Sequence, residues 1–381
     1  MQASNTIPLS LYIHIPWCVK KCPYCDFNSY AVTSGIPEDD YIERLISDLK
    51  ADLPLAQNRS LTSIFFGGGT PSLFSPQAFE KIINAVDHCF NLSKTTEITM
   101  EANPGTLEHR DFKDYKMAGI NRISLGAQSF QNAQLEKLGR IHKADETKRA
   151  IDKIIQADFK SFNIDIMYGL PQQTLADALY DLNTSLSFSP PHLSWYNLTI
   201  EPNTIFHHKK PPLPTDDAIF EMQEAGFAVL KEHGYIQYEV SAFSKPDYQC
   251  QHNVNYWQFG DYLGIGAGAH GKISNLETKE ITRYSKSRFP KSYLDPSLPF
   301  LAENKIIPVA ERPLEFMLNA LRLMEGFPIE LFESRTFLPI ETILPELKQA
   351  QDKDLLIFDN QKIRPTELGK RFLNDLVAIF L

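Results

Sequence analysis

The sequence predicts an α/β fold: a partial (β/α)6 barrel of the TIM type, followed by a small helical or winged-helix-like C-terminal domain. Two observations support this prediction. Short apolar runs alternate six times with amphipathic helical patterns, which implies parallel strands joined by right-handed crossovers. No glycine-rich dinucleotide fingerprint opens the first unit, which favours a barrel over a doubly wound sheet.

The alternation gives six strand–helix units in chain order. The predicted strands are Leu11–Ile15, Ser63–Phe66, Glu97–Met100, Arg122–Leu125, Phe162–Met167 and Leu193–Leu198. Each strand is followed by a predicted helix, and these helices are Glu38–Leu53, Pro76–Cys89, Glu108–Met117, Ala144–Gln156, Thr174–Leu186 and Asp216–Glu232.

The alternation fades after about Tyr235. Tyr238–Phe243 is a candidate extra strand, and the glycine-dense Gly264–Gly271 and the polar Ile273–Ser287 are expected to be loops or a small added sheet. The segment Ser287–Pro308 is rich in proline and serine, which predicts a linker.

The pattern becomes helical again from Glu311, and the late segments Leu355–Phe358 and Lys362–Arg364 resemble a β-wing. We therefore predict two domains. Residues 1–290 hold the barrel with its extra strands, and residues 291–381 hold the linker and the C-terminal domain.

Composition limits the partners and the compartment. The net charge of −9 argues against a nucleic-acid partner held through its phosphates. No apolar stretch approaches the roughly 20 residues that span a bilayer. Five cysteines, three of them clustered, suit a reducing compartment. We expect a soluble, cytoplasmic protein without a nucleic-acid partner.

Three cysteines lie close together after the first apolar run, as Cys18-x3-Cys22-x2-Cys25. A [4Fe–4S] cluster normally takes four thiolates, so three would leave one iron open to a small molecule such as S-adenosylmethionine (SAM). Two alternatives stay open at this point. Zinc prefers four ligands, usually in two pairs, and free thiols need none. Lys20 and Lys21 beside the cysteines are expected to favour the thiolate form.

Polar residues follow the other predicted strands. They include Gly67-Gly-Gly-Thr70, Glu101, Gln128, Asp165 and Thr199. The carboxyl ends of barrel strands open on one mouth, so these groups should converge with the cysteine loop. Glycines let a ligand approach the backbone, and the carboxylates could accept hydrogen bonds from ribose or an ammonium group. The alternatives are a tight turn at the glycines and internal salt bridges at the carboxylates.

Two further groups complete the candidate polar site. Arg140 could pair bidentately with a carboxylate, or it could be a solvated arginine at a helix end. Tyr12 and Tyr24 flank the cysteines as candidate walls or as ordinary aromatic core residues.

A second constellation is His252-Asn253-x-x-Tyr256-Trp257, two residues after Cys250. Imidazole or thiolate as an axial ligand, with aromatic rings as walls, would suit haem. The alternative from spacing alone is a loop that caps the barrel and holds His252 structurally. Cys250 is a candidate ligand or a small core residue.

Together these motifs resemble the radical SAM family of oxygen-independent coproporphyrinogen III oxidase and its relatives, over nearly the whole chain. The matching stretches are Tyr12–Phe27, Gly67–Pro71, Glu101–Pro104, Leu125–Phe130 and Asn163–Pro171. The resemblance implies a radical SAM barrel in which Cys18, Cys22 and Cys25 hold the [4Fe–4S] cluster. It also implies SAM contacts from Tyr12, Tyr24, Gly68, Gly69, Thr70, Glu101, Gln128, Arg140, Asp165 and Thr199.

The sequence departs from the oxidase at two places. Phe27 stands where the oxidase has a further cysteine, and the long arm before the cluster cysteines is missing. These features, together with the motif His252-Asn-Val-Asn-Tyr-Trp257, resemble the haem-chaperone branch of the family. That branch implies haem binding at His252, Asn253, Tyr256 and Trp257, and haem transfer to acceptor haemoproteins, expected to be membrane-bound respiratory enzymes. A homodimer is also possible.

The alternative function is a radical enzyme. A 5′-deoxyadenosyl radical would abstract hydrogen from the propionates of coproporphyrinogen III, and decarboxylation would give protoporphyrinogen IX. The sequence leaves open whether the protein is an enzyme, and it identifies no catalytic residue.

Overall fold

A computed structural model describes residues 7–33, 35–106, 111–359 and 361–381. Its strands are β1 (Leu9–Ile15), β2 (Trp17–Cys18), β3 (Tyr30–Ala31), β4 (Leu61–Gly68), β5 (Glu97–Ala102), β6 (Arg122–Gln128), β7 (Ser161–Tyr168), β8 (His192–Asn197), β9 (Ile236–Glu239), β10 (Ala242–Ser244), β11 (Asp261–Ile265), β12 (His270–Ser274), β13 (Ile281–Lys286), β14 (Leu301–Ile306), β15 (Phe327–Pro328), β16 (Leu356–Phe358) and β17 (Lys362–Pro365).

The helices lie between these strands and in the C-terminal region. They are α1 (Glu38–Asp52), α2 (Pro76–Phe90), α3 (Phe112–Met117), α4 (Asn132–Lys137), α5 (Ala144–Gln156), α6 (Leu175–Ser187), α7 (Ile205–His208), α8 (Asp216–Glu232), α9 (Gln251–Trp257), α10 (Pro290–Leu294), α11 (Arg312–Ala320), α12 (Ile329–Thr336), α13 (Leu344–Asp352), α14 (Glu367–Arg371) and α15 (Leu373–Ala378). Short 3-10 helices cover Leu53–Ala56, Pro71–Leu73, Pro104–Thr106, Val309–Glu311 and Ile340–Ile343.

Twelve strands form one large sheet in the order β14-β13-β12-β11-β1-β4-β5-β6-β7-β8-β10-β9. The seven strands from β11 to β8 run parallel to their neighbours. The six predicted strand–helix units are all present, and among the described strands the sheet stays open rather than closing on itself. The predicted α/β class with a partial barrel is therefore confirmed.

The third predicted helix is shorter than expected. The structure gives α3 as Phe112–Met117, with Asp111 accepting a hydrogen bond from the backbone N–H of Lys113 at the N-cap. Glu108, where the prediction begins, lies outside the described residues.

The region after Tyr235 holds more strand than the sequence predicts. The single expected strand Tyr238–Phe243 is two antiparallel strands, β9 and β10. β11 lies beside β1 as a seventh parallel strand, a pairing between residues about 250 positions apart that local patterns do not reveal. β12 and β13 extend the same sheet, so the added-sheet interpretation of Gly264–Gly271 and Ile273–Ser287 is the one that the structure supports.

The linker prediction for Ser287–Pro308 is wrong over much of its length. The segment contains α10 and the edge strand β14, which pairs antiparallel with β13. Proline and serine here mark the helix start at Pro290 and the turns around a strand, rather than an extended connection. The domain boundary at residue 290 stays a prediction.

Buried ion pairs attach the added strands to the barrel. Lys286 of β13 donates to Asp48 and Asp52 of α1, each at 2.7 Å. Lys272 of β12 and Arg59 donate to Asp261 of β11 at 2.8 and 2.7 Å. Because these charges are paired and hydrogen-bonded, they are compatible with burial and fix the position of the strands.

The C-terminal region has its own apolar core. Phe316, Met317, Phe332, Leu347 and Ile363 belong to it. A three-stranded sheet in the order β15-β17-β16 lies among helices α11–α15. The hairpin of β16 and β17 is the predicted wing, in agreement with a winged-helix-like arrangement.

Among the described residues, none of the helices combines the length and the apolar character needed to cross a bilayer.

Candidate functional site

The carboxyl ends of the parallel strands open on a cavity of about 560 Å³. The family resemblance assigns seventeen residues to the cluster, SAM and haem sites, and sixteen of them line the cavity: Tyr12, Cys18, Cys22, Tyr24, Cys25, Gly68, Gly69, Thr70, Glu101, Gln128, Arg140, Asp165, His252, Asn253, Tyr256 and Trp257. Thr199 is exposed and is not among the lining residues. The expectation that the strand-end groups converge with the cysteine loop is therefore met for all but Thr199.

Strand alternation explains how the cavity wall is built. Successive side chains point to opposite faces of a strand, so every second residue faces the barrel interior. Arg122, Ser124, Gly126 and Gln128 of β6 follow this rule, as do Asn163 and Asp165 of β7 and His192, Ser194 and Tyr196 of β8. The apolar residues between them are buried in the outer core.

The cysteine loop is closed at its base by a short parallel pairing of β2 with β3, in which Cys18 lies opposite Ala31. Asn28 anchors the loop by donating to the carbonyls of Ala267 and Arg288 at 3.0 and 2.9 Å. Inside the loop the backbone N–H of Cys25 donates to the carbonyl of Cys22 at 3.1 Å. These contacts fix the three thiols on one wall of the cavity.

The thiols are free, and burial raises the pKa of Cys18 and of Cys25. The sequence predicts that the lysines favour the thiolate form. The positive charge of Lys21 does lower the pKa of Cys25, but burial raises this pKa by more. Lys21 itself donates to the carbonyl of Phe27 at 2.9 Å. Burial thus disfavours the thiolate forms of Cys18 and Cys25, and a bound metal would offset this effect.

The three cysteines all line the cavity, as ligands of a cluster with one thiolate at each of three corners would. Within residues 7–33, 35–106, 111–359 and 361–381, no three His, Cys, Asp or Glu side chains surround one metal-ion position. A cube of four irons takes each thiolate at a different corner, so its ligands lie on a wall rather than around a point. Arg140 Nη1 lies 3.7 Å from Cys22 Sγ, where its charge would offset that of a thiolate-ligated cluster.

The first half of the cavity, the strand-end half, consists of the cysteine loop with Gly68, Glu101, Gln128 and Asp165. Glu101 Oε2 accepts a hydrogen bond from the backbone N–H of Gly68 at 3.2 Å. Burial, with a contribution from nearby Asp165, raises the pKa of Glu101 to about 8. A buried carboxyl in this state responds strongly to a cationic ligand, because the positive charge favours its ionised form.

The other strand-end groups are held by their neighbours. Asp165 accepts from Ser124 Oγ at 3.0 Å and from Asn163 Nδ2 at 2.7 Å. Gln128 Oε1 accepts from Tyr196 at 2.7 Å, which leaves the amide N–H groups of Gln128 for a ligand. This half thus presents two carboxyl groups and an amide beside the cysteine loop. These donors and acceptors suit the ammonium, carboxylate and ribose groups of SAM.

Arg140 and Tyr24 complete the strand-end half. Arg140 Nη2 donates to the carbonyl of Gly126 at 2.8 Å, and its Nε is buried without a partner among the described residues. Burial is the main reason that the pKa of Tyr24 lies above its ordinary value. The Tyr24 ring also packs against Phe206. Tyr24 is therefore both a wall of the site and part of a small apolar cluster.

The second half of the cavity, the α9 half, consists of His252, Asn253, Tyr256 and Trp257 of α9 with Glu239 and Arg322. The four-residue spacing puts His252 and Tyr256 on one face of the helix, with ring centroids 4.8 Å apart. The His252 ring stacks on Phe65 of β4 at 5.0 Å. Burial, assisted by the charge of Arg122, lowers the pKa of His252 to about 3, so its imidazole is neutral.

A directed chain of hydroxyl groups fixes the tautomer of His252. Thr62 donates to the carbonyl of Leu9 at 3.1 Å, Ser10 lies 3.3 Å from Thr62, and Ser63 donates to Ser10 at 2.8 Å. Ser63 must then accept from His252 Nδ1, 3.0 Å away. The lone pair is left on Nε2, which is buried and has no hydrogen-bond partner in the described part of the chain. A neutral imidazole with a free Nε2 is the form that ligates iron.

Cys250 does not share this position. Its thiol donates to Glu97 at 3.6 Å, burial raises its pKa to about 12, and it is not among the lining residues. The structure thus favours the interpretation of Cys250 as a buried core residue over that of a thiolate ligand.

Several cavity residues are absent from the sequence predictions. Phe65, Arg122, Asn163, His192, Glu239 and Arg322 all line the cavity. A signal was present for the strand residues, because polar side chains at every second position of an otherwise apolar run indicate a polar interior. Arg322 comes from the C-terminal region, and no local pattern points to it.

Two family models match the chain. The Radical SAM superfamily model matches residues 12–183, and the HemN C-terminal domain model matches residues 307–372. Among solved structures, coproporphyrinogen III oxidase (HemN) of Escherichia coli, titled a radical SAM enzyme, is similar with a TM-score of 0.82 over 99% of this chain and 90% of that one. At 22% identity this likeness shows a shared fold.

Curated relatives are similar over nearly the whole length. The chain is 50% identical over 378 residues to the protein named heme chaperone HemW of Haemophilus influenzae, and 48% identical over 374 residues to that of Escherichia coli. Each alignment covers 98% of both chains. The heme chaperone HemW of Bacillus subtilis is 32% identical over 382 residues, covering 98% of this chain and 99% of its own.

Proposed function

Because the chain belongs to the HemW family within the radical SAM superfamily, we propose that it is a haem chaperone that binds haem and passes it to haemoproteins. The resemblance to the haem-chaperone branch, inferred from Phe27 and the His252 motif, is confirmed at the level of the family. The radical SAM family implies a [4Fe–4S] cluster and SAM as cofactors. Haem is the cargo in this proposal.

The observation that carries the proposal is the free Nε2 of His252. This nitrogen faces no protein partner in the residues described, and the ring is neutral and fixed by Ser63 and Phe65. Aromatic rings of Tyr256 and Trp257 border the same cavity and supply a wall for a flat apolar macrocycle. We propose His252 Nε2 as the axial ligand, with Asn253, Tyr256 and Trp257 as contacts.

The cluster and SAM belong to the other half of the same cavity. Cys18, Cys22 and Cys25 would hold the cluster, and its chemistry when bound is electron transfer and polarisation of a ligand at the open iron. Tyr12, Tyr24, Gly68, Gly69, Thr70, Glu101, Gln128, Arg140 and Asp165 would orient SAM. Thr199 is exposed away from the lining, so we leave it out of the proposed SAM site.

The proposed setting follows the family. The protein would act in the cytoplasm, and its acceptors would be haemoproteins, with membrane-bound respiratory enzymes as the expected class. A homodimer is part of the same expectation. Transfer from the purified protein to an apo-haemoprotein, followed optically, tests whether bound haem is a cargo rather than a fixed cofactor.

Haem titration of the anaerobically reconstituted protein tests haem binding. We expect a saturable Soret shift at micromolar haem, and His252→Phe should weaken binding about tenfold or more, equivalent to roughly 1.4 kcal/mol. His192→Phe is the matched control, because His192 also lines the cavity but has both ring nitrogens occupied, at 2.7 and 2.8 Å. Equal losses in the two variants, or no Soret shift in the parent protein, would contradict the proposal.

The alternative, oxidative decarboxylation of coproporphyrinogen III, is not favoured by the relatives. Anaerobic incubation with reductant, SAM and coproporphyrinogen III distinguishes the two functions. Haem binding without decarboxylated product is the expected result. Formation of protoporphyrinogen IX would replace the chaperone proposal with that of an enzyme.

A further inference from the structure

We infer that Arg322 is the carboxylate-binding residue of the cavity and that it recognises the propionate groups of the porphyrin. The inference rests on the proposed function, since it concerns the ligand held by His252. It adds a specificity-determining contact, contributed by the C-terminal region, that selects porphyrins with free carboxylates.

Arg322 reaches the cavity because the turn after α11 is fixed against β9. The backbone N–H of Met324 donates to the carbonyl of Tyr238 at 3.1 Å, and Leu323 forms an isolated antiparallel bridge with Glu239. Arg322 itself is among the residues that line the cavity. The C-terminal region thus supplies part of the wall of a site that otherwise belongs to the barrel.

The guanidinium group is oriented but has donors to spare. It lies over the Trp257 ring at 4.4 Å from the ring centroid, and Nη2 donates to Glu239 Oε2 at 3.2 Å. A guanidinium carries five N–H donors. No acceptor for its Nε lies within the described chain. The side chain of Arg322 is 30% exposed, whereas that of Glu239 is 5% exposed, so the arginine is the accessible partner of the pair.

The other cations along the cavity are committed elsewhere or lie on the opposite side. Arg140 donates to Gly126 and faces Cys22, and Lys21 donates to Phe27. Arg122 is 2% exposed and lies 3.9 Å from Glu97. Lys20 is on the cysteine loop, in the strand-end half. Arg322 is therefore the accessible guanidinium beside α9.

The ligand chemistry follows from this position. His252, Trp257 and Arg322 line the same cavity, and the Arg322 guanidinium lies over the Trp257 ring. We therefore place this guanidinium at the border of the site for a macrocycle ligated by His252. Haem carries its two propionates on one edge. A planar guanidinium binds a carboxylate bidentately. Glu239 accepts from Nη2 of Arg322 and is therefore a competitor of the propionate for this group.

The test compares haem with its dimethyl ester, both delivered from the same mild detergent to the reconstituted full-length protein. We expect the parent protein to bind haem about 10- to 100-fold more tightly than the ester, the range of a charge-assisted hydrogen-bonded pair. Arg322→Gln should remove most of that preference by weakening haem binding and leaving ester binding unchanged. Arg322→Lys keeps the positive charge but loses the planar pair of N–H donors. Its preference for haem over the ester should therefore lie between those of the parent protein and Arg322→Gln.

Two further variants complete the test: Arg283→Gln as a control, and Glu239→Gln as a change of the residue that pairs with Arg322. Arg283→Gln breaks the pair of Arg283 with Glu315, also between the large sheet and the C-terminal region, but Arg283 does not line the cavity. It should leave both affinities unchanged. Glu239→Gln removes the carboxylate that competes for Arg322, and it should tighten haem binding.

Three outcomes would overturn the inference. They are equal affinity of the parent protein for haem and the ester, equal losses for both ligands in Arg322→Gln, and the same loss of haem affinity in Arg283→Gln. If the parent protein binds neither ligand, the proposed function fails and the inference fails with it. If it binds both ligands equally, the proposed function stands and the inference alone is wrong.

Discussion

The two halves of the cavity differ in how their polar groups are satisfied. In the strand-end half, Glu101, Asp165 and Gln128 each accept hydrogen bonds from neighbouring protein groups. In the α9 half, three atoms are buried without a partner among the described residues, namely His252 Nε2, Trp257 Nε1 and Arg322 Nε, whereas in the strand-end half as defined above Arg140 Nε is in this state. Buried polar atoms are rarely left unpaired, so the α9 half is the part of the cavity that most needs an external ligand.

The largest effect that we expect is the loss of the cluster from a cysteine variant whose haem affinity stays nearly unchanged. Cys22→Ala removes one of the three thiols, so we expect loss of essentially all [4Fe–4S] iron and sulfide after reconstitution. Haem affinity should change less than about threefold, because His252 and its hydrogen-bond chain are untouched. Iron analysis and haem titration on the same sample measure both effects.

Cys89→Ser is the control for this experiment. Cys89 lies on α2, outside the cavity lining, and its substitution should leave both cluster and haem binding intact. Haem affinity that falls in proportion to the iron content of Cys22→Ala would show that the halves are one site.

A smaller effect is expected where β4 meets the cysteine loop. The backbone N–H groups of Gly69 and Thr70 donate to the carbonyls of Ile15 and Trp17, each at 2.8 Å. A Cβ at Gly69 would lie 2.5 Å from the carbonyl oxygen of Trp17. Gly69→Ala should therefore cost about 3 kcal/mol in the free energy of unfolding and lower cluster occupancy.

Gly35→Ala is the matched comparison, because a Cβ there meets nothing within 4 Å. It should change the free energy of unfolding by less than about 0.5 kcal/mol. Chemical denaturation of the cluster-free proteins measures both values. Similar values for the two variants would mean that the cysteine loop is not fixed by β4.

Glu101 and His252 give the two halves pH dependences of opposite sign. Burial lowers the pKa of His252 to about 3, below its ordinary value of 6.5, so between these values the unfolded state holds a proton that the folded state lacks and stability rises with pH. The pKa of Glu101 is about 8 in the folded protein, above its ordinary value of 4.5, because of burial and Asp165. Between these values the folded state holds a proton that the unfolded state has lost, so stability falls as pH rises. The contribution of Glu101 to this decrease is on the order of a few kcal/mol, and Glu101→Gln should remove it. Asp181, whose pKa burial raises to about 6, keeps its own contribution in that variant.

Urea unfolding of the cluster-free protein at several pH values between about 5 and 8 measures this slope, since the midpoint reports the linked proton. Glu367→Gln, at a side chain that is 86% exposed, should leave the slope unchanged. A slope in Glu101→Gln equal to that of the parent protein would assign the linked proton to another group, such as Asp181. SAM binding should also release a proton near neutral pH, because its sulfonium and ammonium charges favour ionised Glu101.

Two serines on inner strands of the sheet, one on β4 and one on β6, sharpen the comparison further. Ser63 accepts from His252 Nδ1, whereas Ser124 donates to Asp165. Ser63→Ala should weaken haem binding about tenfold, as loss of the group that orients a metal-ligating histidine usually does. Ser124→Ala should leave haem affinity unchanged and weaken SAM binding instead.

Isothermal titration with each ligand measures all four affinities of the two serine variants. The two halves would be coupled, against our expectation, if each variant weakened both ligands alike.

The sequence predicts the strand-end half better than the α9 half, for a physical reason. The strands β1 and β4–β8 follow one another in the chain and in the sheet, so a local pattern places Gly68, Glu101, Gln128 and Asp165 at one mouth. Thr199 is the exception: it follows β8 but is exposed. A residue beyond the strand end can turn away, and no pattern reports that turn.

The α9 half depends on contacts between distant residues. β11 pairs with β1, and Arg322 meets Glu239 across 83 positions. The sequence identified His252 and Trp257 as a motif, but Phe65, Ser63, Glu239 and Arg322 become neighbours only through the fold. The sequence predicts a linker at Ser287–Pro308 because its strand, β14, is an exposed edge without a buried apolar face.

The most direct test of the proposed haem site is pulsed electron paramagnetic resonance on the ferric haem complex of protein labelled with 15N-histidine. Hyperfine coupling between the unpaired electron of the ferric iron and a histidine 15N nucleus should appear in the parent protein. It should disappear in His252→Phe and remain in His192→Phe. That result would identify His252 Nε2 as the axial ligand. Coupling that persists in His252→Phe, or haem that binds without any histidine coupling, would contradict the site proposed in the α9 half.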